Sequence, residues 1–304
     1  MSCKKKTCRV RAIKSRKADG DIFALQGMTA LRTLDLPNSG VHGDIESLQN
    51  LTGLQWLFLR NTGLHGDIRN LQKLTHLKVL SLSKTGVHGD VENLQNLIGL
   101  QRLILRNTGV RGDIRNLENL TGLKKLSLYN TRVRGDIENL QKHTGLTQLF
   151  LSNTGVHGDI RSLQNLRAVQ RLSLAKTGVC GDIRNLQDCT GLRQLFLYNT
   201  GVGGDIRSLQ KLTGLERIVL HQTDVRGDIE DLQKLTGLKE LSLDHTSMHG
   251  DIDALLHLEI LEMAKLRGTR VAGWISSTWN GRCWKLRELH LDAAELHSPC
   301  RLLV

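Results

Sequence analysis

A Gly-Asp pair returns every 23 residues along nearly the whole chain. It stands at Gly20, Gly43, Gly66, Gly89, Gly112, Gly135, Gly158, Gly181, Gly204, Gly227 and Gly250, with no slip in the period. A period of this length means stacked supersecondary units, none of which buries its apolar face alone. The 304 residues therefore read as one repeat array rather than two globular domains. One unit, from Gly43 to His65, reads GDIESLQNLTGLQWLFLRNTGLH.

The second half of each unit follows the pattern LxxLxLxxT, as at Leu54, Leu57, Leu59 and Thr62. Leu57 and Leu59 alternate with Trp56, Phe58 and Arg60, the period of two expected of a strand with one face in the core. Consecutive units run the same way, which predicts one parallel sheet of about 11 or 12 strands, each about 4.8 Å from the next. Ser39, Thr62, Thr85 and their counterparts to Thr269 put a hydroxyl where each strand leaves the sheet, placed to satisfy the backbone there. Glycine permits the turn that follows, and Asp67 is placed to cap a short helical turn beginning near Ile68. Ile68, Leu71 and Leu74, spaced by three, would face inward. The short return path predicts 3₁₀ or irregular turns rather than full helices.

These units resemble the leucine-rich repeat over roughly residues 8–296, and the GDI stretch looks like the GxIP segment of the plant-type subclass. Thr stands where that subclass has Asn, and the Pro of GxIP is absent. The resemblance implies an α/β solenoid: a horseshoe with a parallel β-sheet on the concave face, short 3₁₀ or irregular turns on the convex face and little long helix. It further implies a non-enzymatic protein–protein interaction scaffold or recognition module that receives a partner protein on the concave sheet.

Residues 1–7 read as a disordered basic tail and 8–19 as a degenerate capping strand. Residues 20–272 are the repeats, and 273–304 a degenerate last repeat with a C-terminal cap. When the 23-residue register is extended backwards, Cys8, Ile13 and Ala18 fall where Leu54, Leu59 and Leu64 fall, while Arg11 lands on a core position. Trp274, Trp279 and Trp284 cluster near the end, where large rings can cover leucines that have no following coil; a tryptophan-lined ligand pocket is the alternative.

The formal net charge is +12. Eight basic residues lie among the first 19, so a tail-led attachment to nucleic acid or an anionic membrane is a second function class. No apolar run of signal-peptide type follows the first lysines, and no stretch approaches a membrane span. Cys189 and Cys283 occupy leucine positions and read as buried thiols; Cys3 and Cys8 could pair. These features predict a cytoplasmic or nuclear protein with reduced thiols. The alternative is an incomplete receptor-like ectodomain, extracellular, in which the sequons at Asn50 and Asn119 would be used.

Every polar motif appears many times over, whereas catalysis needs a singular constellation, so an enzyme is not expected and no cofactor is implied. His42, His65, His88, His157 and His249 share one position that Arg111, Arg134 and Arg226 take elsewhere, which argues against a metal site. His143 replaces a core leucine and reads as a satisfied, partly buried histidine. Glu46, Arg69, Glu92, Arg115, Glu138 and Arg161 alternate, predicting a charge ladder between neighbouring coils.

The strand positions that point away from the core are the candidate partner-binding set: Trp56, Phe58, Arg60, Arg102, Ile104, Arg106, Lys125, Tyr129, Phe150, Arg171, Phe196, Tyr198 and Arg217. Aromatics and arginines dominate binding energy at interfaces. Phe58, Ile104, Phe150 and Phe196 alternate with Ser81, Ser127 and Ser173, the trace of a 46-residue duplication. The acids Asp35, Glu240 and Asp244 sit towards the ends of this set, so the partner expected in the middle is acidic.

Overall fold

The computed structural model describes residues 10–273, 279 and 285–292. It divides into two compact units, Met1–Val156 and His157–Val304. Each is built from the same coil: a three-residue strand, a tight turn, a five-residue strand and a 3₁₀ turn.

In the first unit the short strands Ala12–Lys14, Thr33–Asp35, Trp56–Phe58, Val79–Ser81, Arg102–Ile104, Lys125–Ser127 and Gln148–Phe150 pair in parallel, each with the next. In the second unit Arg171–Ser173, Gln194–Phe196, Arg217–Val219, Glu240–Ser242, Met263–Lys265 and Glu288–His290 do the same. The register follows the repeat, with Leu57 opposite Leu80. Met263 lies opposite Glu288, so the last coil carries two extra residues. The first coil is two short. Ile13 lies opposite Leu34, not Leu36, which shifts the register expected for residues 8–19 and moves Arg11 from a core position to an exposed one. A lone guanidinium costs too much to bury, so the register gives way instead.

The core is leucine in layers. Leu51, Leu54, Leu57, Leu59, Leu64, Ile68 and Leu71 of a single coil are all fully buried. At about 1.5–3 kcal/mol for each buried aliphatic side chain, this stacking is what holds a coil that has no long helix. The hydroxyl column does what its position predicts: Thr85 Oγ1 donates to the Leu82 carbonyl at 2.6 Å, and Thr131 to Leu128 at 2.6 Å. The Asp of each GDI caps a 3₁₀ turn, as Asp67 does for Ile68–Leu71 by accepting from the Arg69 amide at 2.8 Å.

The return path carries the expected 3₁₀ turn, but it is more regular than expected: the residues before that turn form a second parallel sheet of five-residue strands such as Gly40–Asp44, Gly63–Asp67 and Gly86–Asp90. Its partners are 21 residues apart rather than 23: His42 faces Gly63, and Asp44 faces His65. Two backbone conformations make the coil possible. The residue before each Thr is left-handed, as at Asn61 (φ 54°) and Lys84 (φ 57°), and so is the glycine of the Gly-Asp pair, as at Gly66 (φ 102°). That glycine is also a close approach, since a Cβ there would sit 2.4 Å from Oδ1 of Asp44 in the preceding coil.

The tail 1–7, the Cys3–Cys8 pair, Cys283, Trp274 and Trp284 lie outside the described residues. Trp279 is buried, and its indole N–H donates to Asp253 at 2.8 Å. No described helix is long and apolar enough to cross a membrane.

Candidate functional site

Short strands leave little room, so each presents only a few side chains outward: those of the strand itself and the residue two beyond it. In the first unit these positions place Trp56, Phe58, Arg60, Arg102, Ile104, Arg106, Lys125, Tyr129 and Phe150 on one face of the first sheet. In the second unit they place Arg171, Phe196, Tyr198 and Arg217 on the corresponding face.

The large side chains do not project freely. Phe58, Ile104 and Phe150 are half-buried, and Ser81 and Ser127 between them are only 4% and 3% exposed. The register explains it: Phe58 and Ile104 flank Ser81, and Ile104 and Phe150 flank Ser127, so bulky side chains lean over small ones. Cations close over the rings. Lys78 Nζ lies 5.5 Å from the Trp56 ring and Lys125 Nζ 5.6 Å from the Phe150 ring. Tyr129, at 41% exposure, stands clearest.

Charge separates the two units. On the outward strand positions of the first unit from Thr33 to Ser152, Asp35 is the only acid, while Arg60, Arg102 and Arg106 are exposed. The residue just before each strand adds Arg32, Lys78 and Lys124, all exposed. In the second unit the guanidinium of Arg217 is bridged to Glu240 and lies 5.3 Å from the Phe196 ring. Arg193 and Lys239 reach Glu216 at 3.1 and 3.4 Å and hold its carboxyl below the usual range, with Arg193 the larger cause. Glu216, Arg217, Lys239 and Glu240 line a shallow cavity of about 350 Å³ together with Glu262, Met263, Arg287 and Glu288. Arg217 is thus already paired, which its position in the repeat did not reveal.

Tyr198 stacks on His221 with ring centroids 4.5 Å apart, and His221 Nδ1 lies 3.1 Å from Ser242 Oγ. Burial lowers the pKa of His221. Sequence reasoning passed over His221 because it followed aromatics and arginines. Its outward strand position was the available signal.

Two readings outside this face change. The arginines after GDI bridge the capping Asp of their own coil, as in Arg69–Asp67 at 3.0 Å and Arg184–Asp182 at 2.7 Å, rather than a glutamate of the next coil. The side chain two residues on from the Asp simply reaches its free oxygen first. His143 is fully buried rather than partly: its Nε2 meets the Leu117 carbonyl at 3.2 Å and its Nδ1 has no hydrogen-bond partner. Burial lowers its pKa, against the carbonyls of Leu117 and Leu140. Cys189 occupies the same leucine position two coils on. It is buried as expected, with its thiol pushed up to about 11 by burial. Cys180 is exposed. Among the described residues no group of three or more His, Cys, Asp or Glu side chains is placed to hold a metal ion. His65 and His249 instead lie 3.7 Å from Asp44 and Asp228 of their preceding coils.

No protein-family model matches the sequence, and no curated protein matches it. Solved structures do. An internalin from Listeria monocytogenes is 25% identical, with a TM-score of 0.71, covering 88% of this chain and 77% of its own. A leucine-rich repeat protein of Leptospira interrogans is 18% identical, with a TM-score of 0.70 and coverage of 90% and 70%. The plant peptide hormone receptor RGFR1, solved in complex with RGF2, is 17% identical, with a TM-score of 0.64 and coverage of 92% and 62%. The chain spans less than two thirds of that receptor's length.

Proposed function

We propose that this leucine-rich repeat chain is a protein-interaction module whose first sheet receives an acidic partner protein, chiefly on the unit Met1–Val156. The observation that carries the reading is the charge of that face. It shows exposed Arg60, Arg102 and Arg106 against the single carboxylate of Asp35, with half-buried apolar side chains among them. Such a surface steers an acidic partner and disfavours a basic one. The peptide-bound receptor among the similar structures supports a binding role for the fold.

The test is affinity capture from native extract by the intact chain and by variants. Arg102→Glu with Arg106→Glu should abolish capture of the partner, while Arg111→Glu with Arg134→Glu, on the second sheet, should leave it. The reverse pattern removes the reading. The tail-led alternative is separated by deleting residues 1–9 only, because Ala12–Lys14 is a strand of the sheet. Capture should survive that deletion. Half-burial of Phe58 and Phe150 makes truncating them a stability change as well, so the arginines are the cleaner probes.

A further inference from the structure

We propose that the partner element seated on the first sheet of the unit Met1–Val156 is a single amphipathic α-helix with acidic flanks, laid across the strands. This rests on the reading that the face binds protein, and it names the shape and chemistry of what binds.

The face is organised in three rows. Arg32, Lys78 and Lys124 stand just before the strands of alternate coils, and all three are exposed. Phe58, Ile104 and Phe150 stand at the third strand position of the coils between and beyond them. Arg60 and Arg106, both exposed, stand two residues past Phe58 and Ile104. The apolar row is therefore bordered by cations on both sides. Its points recur every second strand, about 9.6 Å apart.

That spacing selects the occupant. An extended peptide crossing the strands advances about 3.3 Å per residue, so about three residues separate successive contacts, and its side chains would alternate faces from one contact to the next. A helix advances about 10.5 Å in seven residues, two turns, and returns the same face each time. One apolar residue in seven then meets each of Phe58, Ile104 and Phe150 in succession. The width agrees. The two cation rows are five residues apart in the register of the repeat, as from Gln55 to Arg60 or from Lys78 to Ser83, roughly 16 Å of strand. A helix of about 10–12 Å diameter fits between them with room for carboxylates to reach either side. This is helix-in-groove recognition, with charge deciding the register.

The probe is a synthetic 21-residue peptide, roughly three heptads, acetylated and amidated. It carries Leu on one face at seven-residue spacing and Glu along both flanks of that face. The control has the same composition scrambled so that no face is apolar. Fluorescence anisotropy with the full chain should show the patterned peptide binding at least about tenfold more tightly than the control. Its helicity should rise on binding. Arg60→Glu with Arg106→Glu, both at exposed positions, should weaken binding by at least about tenfold while the far-ultraviolet spectrum of the protein stays unchanged. Equal binding of patterned and scrambled peptides overturns the proposal and leaves only a general attraction for polyanions. Failure of the patterned peptide to bind, while capture from extract still depends on Arg102 and Arg106, overturns the helix and leaves the protein-binding reading standing.

Discussion

His143 and Cys189 hold the position that is leucine in neighbouring coils, and each shows what the core tolerates. Cys189 enters as a small apolar thiol. His143 enters at a cost, because its buried Nδ1 has no partner. Burial lowers its folded pKa below the unfolded value of about 6.5. The unfolded chain therefore binds the proton first as pH falls, and stability declines from about pH 6.5 downward. His143→Leu should raise stability by about 1 kcal/mol at neutral pH and by more at pH 5. Urea titrations at pH 8 and pH 5 check this, and equal gains at both would refute the histidine's part. Lys84 offers a second residue-scale case. It holds the left-handed conformation that Asn occupies in most coils of its unit. Lys84→Gly should stabilise by about 0.5–1 kcal/mol, measurable in the same titration. Thr131→Val keeps the shape but removes the donor to Leu128, and should cost about 1 kcal/mol. The threonine's role was legible in the sequence because it recurs beside an inward leucine. The burial of His143 was not, since a single substitution carries no periodicity to show how far the coil closes over it.

At the scale of the element, the second sheet escaped a reading based on alternation because GVHGD is short and its glycines blur the inside–outside pattern. The 21-residue stagger is likewise invisible in a strict 23-residue period. Yet it accounts for two columns of residues. His42 Cβ lies 2.9 Å from where a Cβ on Gly63 would be, so this facing pair has one small member, whereas Arg111 facing Arg132 and His249 facing Arg270 do without one. In the coil where Gly203 replaces the histidine, its partner across the sheet is Asp224. The glycine has changed sides. The same stagger brings most capping Asp residues opposite the next coil's His or Arg, with Cys180, Gly203 and Ala272 in that place elsewhere, which gives the histidine column a structural role beside carboxylates. Gly63→Val should destabilise by about 1–3 kcal/mol, and His42→Gly in the same chain should recover much of it. A thermal-denaturation double-mutant cycle measures the coupling; simple additivity would show that the two strands do not constrain each other. What the sequence made plain at this scale was the core and the caps, because the leucine positions recur with few substitutions and Gly-Asp recurs without a slip from Gly20 to Gly250.

For the whole molecule, stability in a repeat array is close to a sum over coils and their neighbours, so the order of coils matters as well as their number. The first unit alternates two kinds. One carries Phe58, Ile104 or Phe150 outward and the other Ser81 or Ser127; Glu46, Arg69, Glu92, Arg115 and Glu138 alternate beside them. Two deletions of equal length separate order from number. Removing residues 63–108 takes out one adjacent pair of coils and leaves Phe58 beside Ser127 and Glu46 beside Arg115. Removing 63–85 together with 109–131 takes out two coils of the same kind. It leaves Phe58, Ile104 and Phe150 on successive strands, Arg60 beside Arg106, and Glu46, Glu92 and Glu138 in a row. Both variants keep every leucine layer and the same number of coils. Like charges on neighbouring strands cost roughly 0.2–1 kcal/mol each. The serine coils over which the rings lean are also gone, so more apolar surface meets water. The first variant should therefore unfold at higher temperature than the second, by about 1–2 kcal/mol in stability. Part of that gap should close at high salt, where the charges are screened but the apolar surface is not. Melting curves at low and high ionic strength decide it. Equal stabilities would mean that the alternation is only the imprint of a duplicated pair of coils, with no energetic role in the array.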